Sequence, residues 1–114
     1  MKDETFNKWL SQLRKGYLEL CVLLILNKRQ SSYGFELLHI FKKAGLELNE
    51  GTLYPLLNRM YKNGWLKSRW ETPTDGGHPR RFYELSRNGR LHLPRMMDAF
   101  TQNQESLNNL MELK

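Results

Sequence analysis

Apolar residues recur along the first part of the chain at the spacing of amphipathic helices. Residues 17–27 are apolar nearly all round, which predicts a buried helix. Residues 5–14 place their large apolar side chains at positions i, i+3, i+4 and i+7, so we expect a further turn or two of helix there. Gly16 lies between the two segments, and we expect it to loosen or break the connection.

Two more helices follow, each with a polar residue placed to cap its first turn. A hydroxyl of Ser31 or Ser32 can accept hydrogen bonds from the free amides of a helix over residues 33–44. The side chain of Asn49 can do the same for a helix over residues 50–63. A glycine follows each of the two segments, which is typical of a helix end.

The apolar period changes from 3.6 to 2 after Gly64. Residues 66–72 and 80–85 alternate side chains of different polarity, and the segment between them is rich in glycine and proline. This pattern predicts a two-stranded hairpin. Because an isolated two-stranded hairpin is only marginally stable in water, we expect this one to pack on the helices.

The last part of the chain predicts a long helix that is capped by Ser86 and ends near Glu112. Pro94 lies inside this helix and is expected to kink it or to shift its start. Large side chains step along the helix by four and three residues, which is the spacing of a coiled-coil seam. Because such a seam would stay exposed on a lone chain of this length, we expect a second copy to cover it. The predicted dimer interface consists of Leu93, Met97, Phe100, Gln104, Leu107 and Met111.

The predicted order of elements is helix, helix, helix, hairpin, helix. We therefore predict a mostly α chain with a small β-hairpin, of the α+β class. Three helices followed by a hairpin are the plan of a winged helix-turn-helix, in which the third helix enters the major groove of DNA. Residues 1–86 would form this DNA-binding domain, including an N-terminal helical extension, and residues 87–114 would form a C-terminal dimerisation helix.

The net charge favours a DNA partner because it is concentrated in one part of the chain. The 114 residues include 18 basic and 12 acidic side chains, which gives a net charge of +6. Residues 59–95 contain nine of the basic and three of the acidic side chains, so this window carries the whole excess. It covers the end of the third helix, the hairpin and the following turn, where phosphate contacts are expected. The alternative is a charged face that only contacts water.

Enzymatic and membrane functions find little support in the sequence. Cys21 lies in an apolar helical run, so we expect an inert thiol, no internal disulfide and a reducing, cytoplasmic setting. His39, His78 and His92 have no spacing typical of a metal site. The longest apolar run, residues 20–26, is too short to span a bilayer. We therefore expect no enzyme activity, cofactor, metal or membrane partner.

Four stretches carry a more specific signal. They are YGFELL at residues 33–38, NEGTLYPLL at 49–57, NGWL at 63–66 and RRFYELSRNG at 80–89. Together they resemble the PadR family of bacterial transcriptional regulators. The resemblance covers about residues 16–90 and the single C-terminal helix, which looks like the short form of that family.

The resemblance implies a homodimeric winged-helix repressor that binds a short inverted-repeat operator and that a small effector can release from DNA. Two residues depart from the family pattern at the end of the third helix. Tyr61 and Trp65 stand where the family usually has an acid and an aliphatic residue. Pro94 is also unusual in the last helix, and it bears on the geometry of the dimer.

The predicted DNA-binding residues lie at the start of the second helix, on the exposed side of the third helix and on the hairpin. Tyr54 either contacts a phosphate or packs between helices. One of Arg80 and Arg81 is expected to face DNA while the other braces the domain, because neighbours on a strand point to opposite faces. His78 at the hairpin tip either reaches a minor groove or has no role. The set is Ser32, Tyr33, Asn49, Thr52, Tyr54, Asn58, Arg59, Lys62, His78, Arg80 and Arg81.

The terminal helices hold the candidates for an effector pocket. Some members of the resembled family bind flat aromatic molecules between these helices, which suggests Trp9, Met96 and Phe100 here, unless the three only pack in a dimer core. Two alternative functions are a winged-helix protein-interaction module without a DNA-reading role and a dimer that mainly binds aromatic ligands. The concentration of charge favours DNA over the first, and the second requires a roomy pore with aromatic walls.

Overall fold

In the computed structural model, which describes residues 3–114, the helices and strands follow the predicted order with one addition. Met1 and Lys2, the first residues of the predicted DNA-binding domain, lie outside the described residues. The described elements are α1 (Glu4–Arg29), β1 (Ser32–Tyr33), α2 (Gly34–Lys43), α3 (Glu50–Lys62), β2 (Leu66–Glu71), β3 (Arg80–Leu85) and α4 (Arg87–Met111). The predicted mostly α chain of the α+β class is confirmed. None of the helices in residues 3–114 has the length and apolarity needed to cross a membrane.

Helix α1 is a single helix of 26 residues, so the predicted break at Gly16 is wrong. Its first turn is capped by Asp3, whose carboxylate accepts a hydrogen bond from the Phe6 amide at 3.0 Å. A glycine inside a helix costs only about 1 kcal/mol relative to alanine. The C-terminal half of α1 buries several leucines in the core, among them Leu23 and Leu26. Burial of each such side chain contributes about 1.5–3 kcal/mol, which outweighs the cost of the glycine.

The sheet has three antiparallel strands in the order β1-β3-β2, where the sequence predicted only the hairpin of β2 and β3. The added strand consists of Ser32 and Tyr33, which pair with Tyr83 and Phe82 of β3. The predicted cap by Ser31 or Ser32 is therefore wrong, because α2 begins after Tyr33 and that residue makes no side-chain capping bond. A strand of two residues has no period that a sequence pattern can reveal.

Helices α2 and α3 pack together through leucine, methionine and aromatic side chains in one core with α1 and the sheet. Phe41, Leu53 and Leu57 are at most 1% exposed in this core. The predicted cap of α3 is confirmed, because the Asn49 side-chain oxygen accepts from the Thr52 amide at 2.9 Å. The core thereby fixes which side of α3 faces inward and which side faces solvent.

Ser86 caps helix α4 as predicted, and the helix runs from Arg87 through Pro94 to Met111 without interruption. The Ser86 hydroxyl accepts from the Gly89 amide at 3.1 Å and donates to the Gly64 carbonyl. It therefore joins the start of α4 to the turn that follows α3. Leu93 is only 7% exposed and belongs to the core of its own chain. The prediction that Leu93 lies in the dimer interface is therefore wrong, because the first turns of α4 pack inward.

Candidate nucleic-acid interface

The outward side of α3 carries hydrogen-bonding and cationic side chains. Its inward side is formed by buried leucines and Met60, and the side away from them exposes Asn58 and Lys62. Asn49 and Thr52 are exposed at the N-terminal end of the same helix. These are the residue types that form hydrogen bonds with base edges and contacts with phosphates.

Tyr54 packs on α2, one of its two predicted roles, and at 39% exposure it also keeps part of its side chain accessible to solvent. Its ring and hydroxyl lie directly over Gly34, the first residue of α2, where any side chain would collide with the phenol. Burial, and to a lesser degree the Glu50 carboxylate, raise the pKa of the Tyr54 phenol above its ordinary value. The hydroxyl therefore stays protonated at neutral pH and can donate to an anion near the start of α2.

Arg80 and Tyr33 form the junction between the hairpin and the start of α2. The Arg80 guanidinium lies 4.8 Å from the centre of the Tyr33 ring, which in turn lies 5.2 Å from the Phe82 ring. Arg80 is exposed, and no carboxylate of residues 3–114 lies within ion-pair distance of it. Stacking fixes the guanidinium while its N–H groups remain free for a phosphate.

Arg81 points to the other face of β3 and packs against α3. Its Nε donates to Ser68 Oγ at 3.1 Å, and its guanidinium lies 4.9 Å from the Tyr61 ring and 5.0 Å from the Tyr83 ring. Arg81 is also less exposed than Arg80. Of the two arginines, Arg81 is thus the one that braces the wing (the hairpin of residues 66–85), and the unusual Tyr61 supplies the aromatic surface that holds it.

Two other cations of the wing are neutralised locally. Lys67 lies 3.2 Å from Glu84, and Arg69 forms ion pairs with Glu71 at 2.8 Å and Glu84 at 3.2 Å. All of these groups are exposed or only half-buried, so the pairs add little to stability. Because Lys67 and Arg69 are ion-paired and Arg81 packs against α3, Arg80 is the arginine of the wing whose N–H groups remain available to an anion.

Two residues of the predicted DNA-binding set occupy other positions than expected. Ser32 is fully buried and its hydroxyl donates to Glu36 at 2.6 Å, so it presents no hydroxyl at the surface. Arg59 does not lie on the outward side of α3 but turns toward α1, where its Nε atom is buried without a hydrogen-bond partner among residues 3–114. His78 is exposed at the wing tip, as expected.

The terminal helices leave a second exposed surface, which is apolar. An open groove of about 830 Å³ runs between α1 and α4, and Tyr17, Met96, Phe100 and Leu107 contribute to its walls. We call it the α1–α4 groove. The predicted seam residues Met97, Gln104, Leu107 and Met111 are exposed along α4.

Trp9 does not line the α1–α4 groove, so the predicted effector set of Trp9, Met96 and Phe100 does not meet within one chain. The Trp9 ring is 55% exposed and lies 5.7 Å from the Phe6 ring, one turn earlier on α1. Phe100 instead contacts Tyr17, with ring centres 5.7 Å apart. The apolar period correctly places Trp9 and Phe100 on the two terminal helices. It does not show that Trp9 lies outside the groove, because that depends on how α1 packs against α4.

Comparison with known proteins places these features in one family. Residues 22–95 match the family described as transcriptional regulator PadR-like. A PadR-like transcription factor from Bacteroides fragilis is 35% identical, with a TM-score of 0.77 over 90% of this chain and 98% of the other. A PadR family regulator from Eggerthella lenta is 27% identical, with a TM-score of 0.83 over 98% of this chain and 96% of the other. A comparison with curated proteins gives no match.

Proposed function

The chain belongs to the PadR-like family of transcriptional regulators, and we propose that it is a repressor that binds an inverted-repeat operator as a homodimer. As a member of this family it is a DNA-binding regulator and not an enzyme. The observation that carries the proposal is the outward side of α3, which exposes Asn58 and Lys62, together with the free guanidinium of Arg80 at the junction of the wing and α2. Such a protein acts where its DNA lies, in the cytoplasm.

In this proposal α3 enters the major groove and the wing follows the adjacent backbone. Thr52 and Asn58 are short polar side chains suited to base edges, while Lys62 and Arg80 suit phosphates. The Tyr54 hydroxyl and Tyr33 lie beside the first turn of α2, whose free amides favour a phosphate oxygen. The simplest test is an electrophoretic mobility shift with the DNA immediately upstream of the protein's own coding sequence, and absence of any shifted band would contradict the proposal.

We expect α3 to recognise the base sequence and the wing to position the protein on the DNA backbone. We expect Thr52→Ala and Asn58→Ala to relax the preference at particular operator positions, because each lost base contact costs about 1–3 kcal/mol of discrimination. Arg80→Ala should instead weaken binding to all sequences about equally, because a phosphate contact carries no base identity. Binding to a panel of single-base operator variants measures both effects.

Arg81 serves as the comparison for Arg80. Because it braces the wing against Tyr61 and Ser68, Arg81→Ala should lower the melting temperature, whereas Arg80→Ala should leave it nearly unchanged. Loss of specificity in Arg80→Ala, together with a uniform loss of affinity in the two α3 variants, would make the wing the reading element.

Dimerisation in the proposal uses the exposed apolar side chains of α4. Leu107, Leu110 and Met111 are each more than half exposed, which is an extended apolar surface for a chain in water. A two-fold symmetric pair of chains presents two α3 helices to two half-sites, which explains an inverted-repeat operator. Residues 1–86 would then bind DNA and residues 87–114 would dimerise, with the first turns of α4 anchored in the DNA-binding core through Leu93.

Sedimentation should give a species of twice 13.6 kDa at micromolar concentration. Leu107→Asp should shift the equilibrium to the monomer, because it places a charge in the apolar seam. Asn109→Asp adds the same charge to an exposed α4 residue on the opposite side of the helix and should leave the dimer intact. A 13.6 kDa species at all concentrations would contradict the homodimer.

An effector, if it releases the protein from DNA, has a site of suitable size in the α1–α4 groove. A volume of about 830 Å³ lies in the range of pockets for small organic ligands, and Tyr17, Met96 and Phe100 offer aromatic and polarisable surface. We propose a flat aromatic molecule as the ligand class. A second chain packed on α4 would cover this groove, so that ligand binding and dimer geometry would be linked.

A further inference from the structure

A second concave surface lies between the middle of α1 and the N-terminal half of α3. It has a volume of about 430 Å³ and is open to solvent. We call it the α1–α3 cleft. Arg14 and Lys15 border it from α1, and Asn49, Thr52 and Arg59 border it from α3 and its cap.

The charges around the α1–α3 cleft are unbalanced. Arg14, Lys15 and Arg59 contribute three positive charges, and Glu47 is the one carboxylate among the lining residues. The ion pairs found in residues 3–114 all lie on the wing, so none of these three cations has a carboxylate within 4.0 Å. The Nε atom of Arg59 is also buried without a hydrogen-bond partner. A buried donor without an acceptor costs free energy, and cations that line one cleft without a carboxylate at ion-pair distance are stabilised by an anion.

The cleft lies on the flank of α3 that faces away from the wing. Successive residues of a helix are about 100° apart, so residues two apart lie on nearly opposite sides. Arg59 on the cleft side is therefore opposite Tyr61, which contacts the wing through Arg81. An α-helix of about 10–12 Å diameter nearly fills a major groove about 12 Å wide, so a phosphate backbone runs along each of its flanks.

From this geometry we propose that the α1–α3 cleft binds a backbone phosphate of the operator, on the strand opposite the one that the wing follows. Arg14 and Lys15 of α1 are then DNA contacts, and Arg59 donates to the same phosphate group from α3. The inference rests on the proposed DNA-binding function. It assigns to α1 a role in positioning α3 in the groove from the side that the wing cannot reach.

The test compares two double variants that remove the same charge. Arg14→Gln with Lys15→Gln removes the two α1 cations of the cleft, and Lys42→Gln with Lys43→Gln removes two exposed cations at the end of α2 that do not line it. The slope of log K against log salt falls by about 0.9 for each lost phosphate contact. Because Arg59 still faces the phosphate in the cleft variant, the slope should fall by at most about 1.8 per dimer, that is, by one phosphate per subunit. The affinity should fall at least about tenfold.

Three results would decide the matter. Wild-type protein that fails to bind DNA contradicts the proposed function itself, whereas normal binding by the cleft variant at an unchanged melting temperature overturns only this inference. An equal loss in both double variants also overturns it, because the effect would then be one of net charge. Arg14→Lys with Lys15→Arg keeps the charges and should bind like wild type.

The Arg59 Nε–H signal in proton–nitrogen NMR spectra distinguishes a DNA phosphate from a free anion. We expect this signal to shift when operator DNA is added and to change little with millimolar inorganic phosphate. Saturation of the shift by inorganic phosphate alone at micromolar concentration would make the cleft a site for a free anion and would overturn the assignment to DNA.

Discussion

The affinity for operator DNA should fall by roughly 10³–10⁵-fold when monovalent salt rises from 50 to 200 mM, as expected when on the order of 6–10 phosphates are neutralised. Lys62, Arg80 and the α1–α3 cleft offer each subunit three phosphate contacts, so a dimer neutralises about six phosphates. Binding releases about one condensed counterion for each neutralised phosphate. This release is less favourable at higher salt concentration, so the affinity falls as salt is added. Fluorescence anisotropy of a labelled operator over a salt series measures it.

The ion-paired cations of the wing provide the control for this experiment. Lys67 is already paired with Glu84 at 3.2 Å, so Lys67→Gln should leave the salt slope nearly unchanged, whereas Arg80→Gln should reduce it. A flat response of the wild-type protein would favour the alternative function, a winged-helix module that contacts other proteins.

Gly89→Ala should destabilise the protein by about 3 kcal/mol and lower its melting temperature by about 10 °C or more. Gly89 is buried in the first turn of α4, where an added Cβ would collide with the main-chain carbonyl of Trp65. That carbonyl also accepts from the Ser86 amide at 3.0 Å, so it cannot move aside without breaking the bond that seats α4. Thermal unfolding followed by circular dichroism measures the change.

The neighbouring residue offers a matched comparison. Asn88 is exposed in the same turn, and Asn88→Ala should change the free energy of unfolding by no more than about 0.5 kcal/mol. If Gly89→Ala melted at the wild-type temperature, the close contact between Gly89 of α4 and the Trp65 carbonyl would not exist in solution.

The sequence alone determined the order of the main elements, because their signals are local. Apolar periods of 3.6 and 2 separated the helices from the hairpin, and the side chains of Asn49 and Ser86 act on amides only three residues away. The concentration of cations in residues 59–95 and the stretch NEGTLYPLL by themselves indicate a DNA-binding regulator. The pattern does not predict that α1 continues through Gly16. The continuous helix is stabilised by burial of its leucines in the core, and that burial depends on contacts with other elements.

Only the tertiary structure decided what each side chain of the candidate site faces. Strand β1, the burial of Ser32 and the collision that any side chain at residue 34 would have with Tyr54 all depend on contacts between residues at least 20 positions apart. The choice of Arg81 as the brace depends on Tyr61 and Ser68, which reach it from other elements. Arg59 turns toward α1 and Leu93 into the core for the same reason. Helical period fixes the angle between side chains on one helix, but only packing fixes how that helix is rotated against its neighbours.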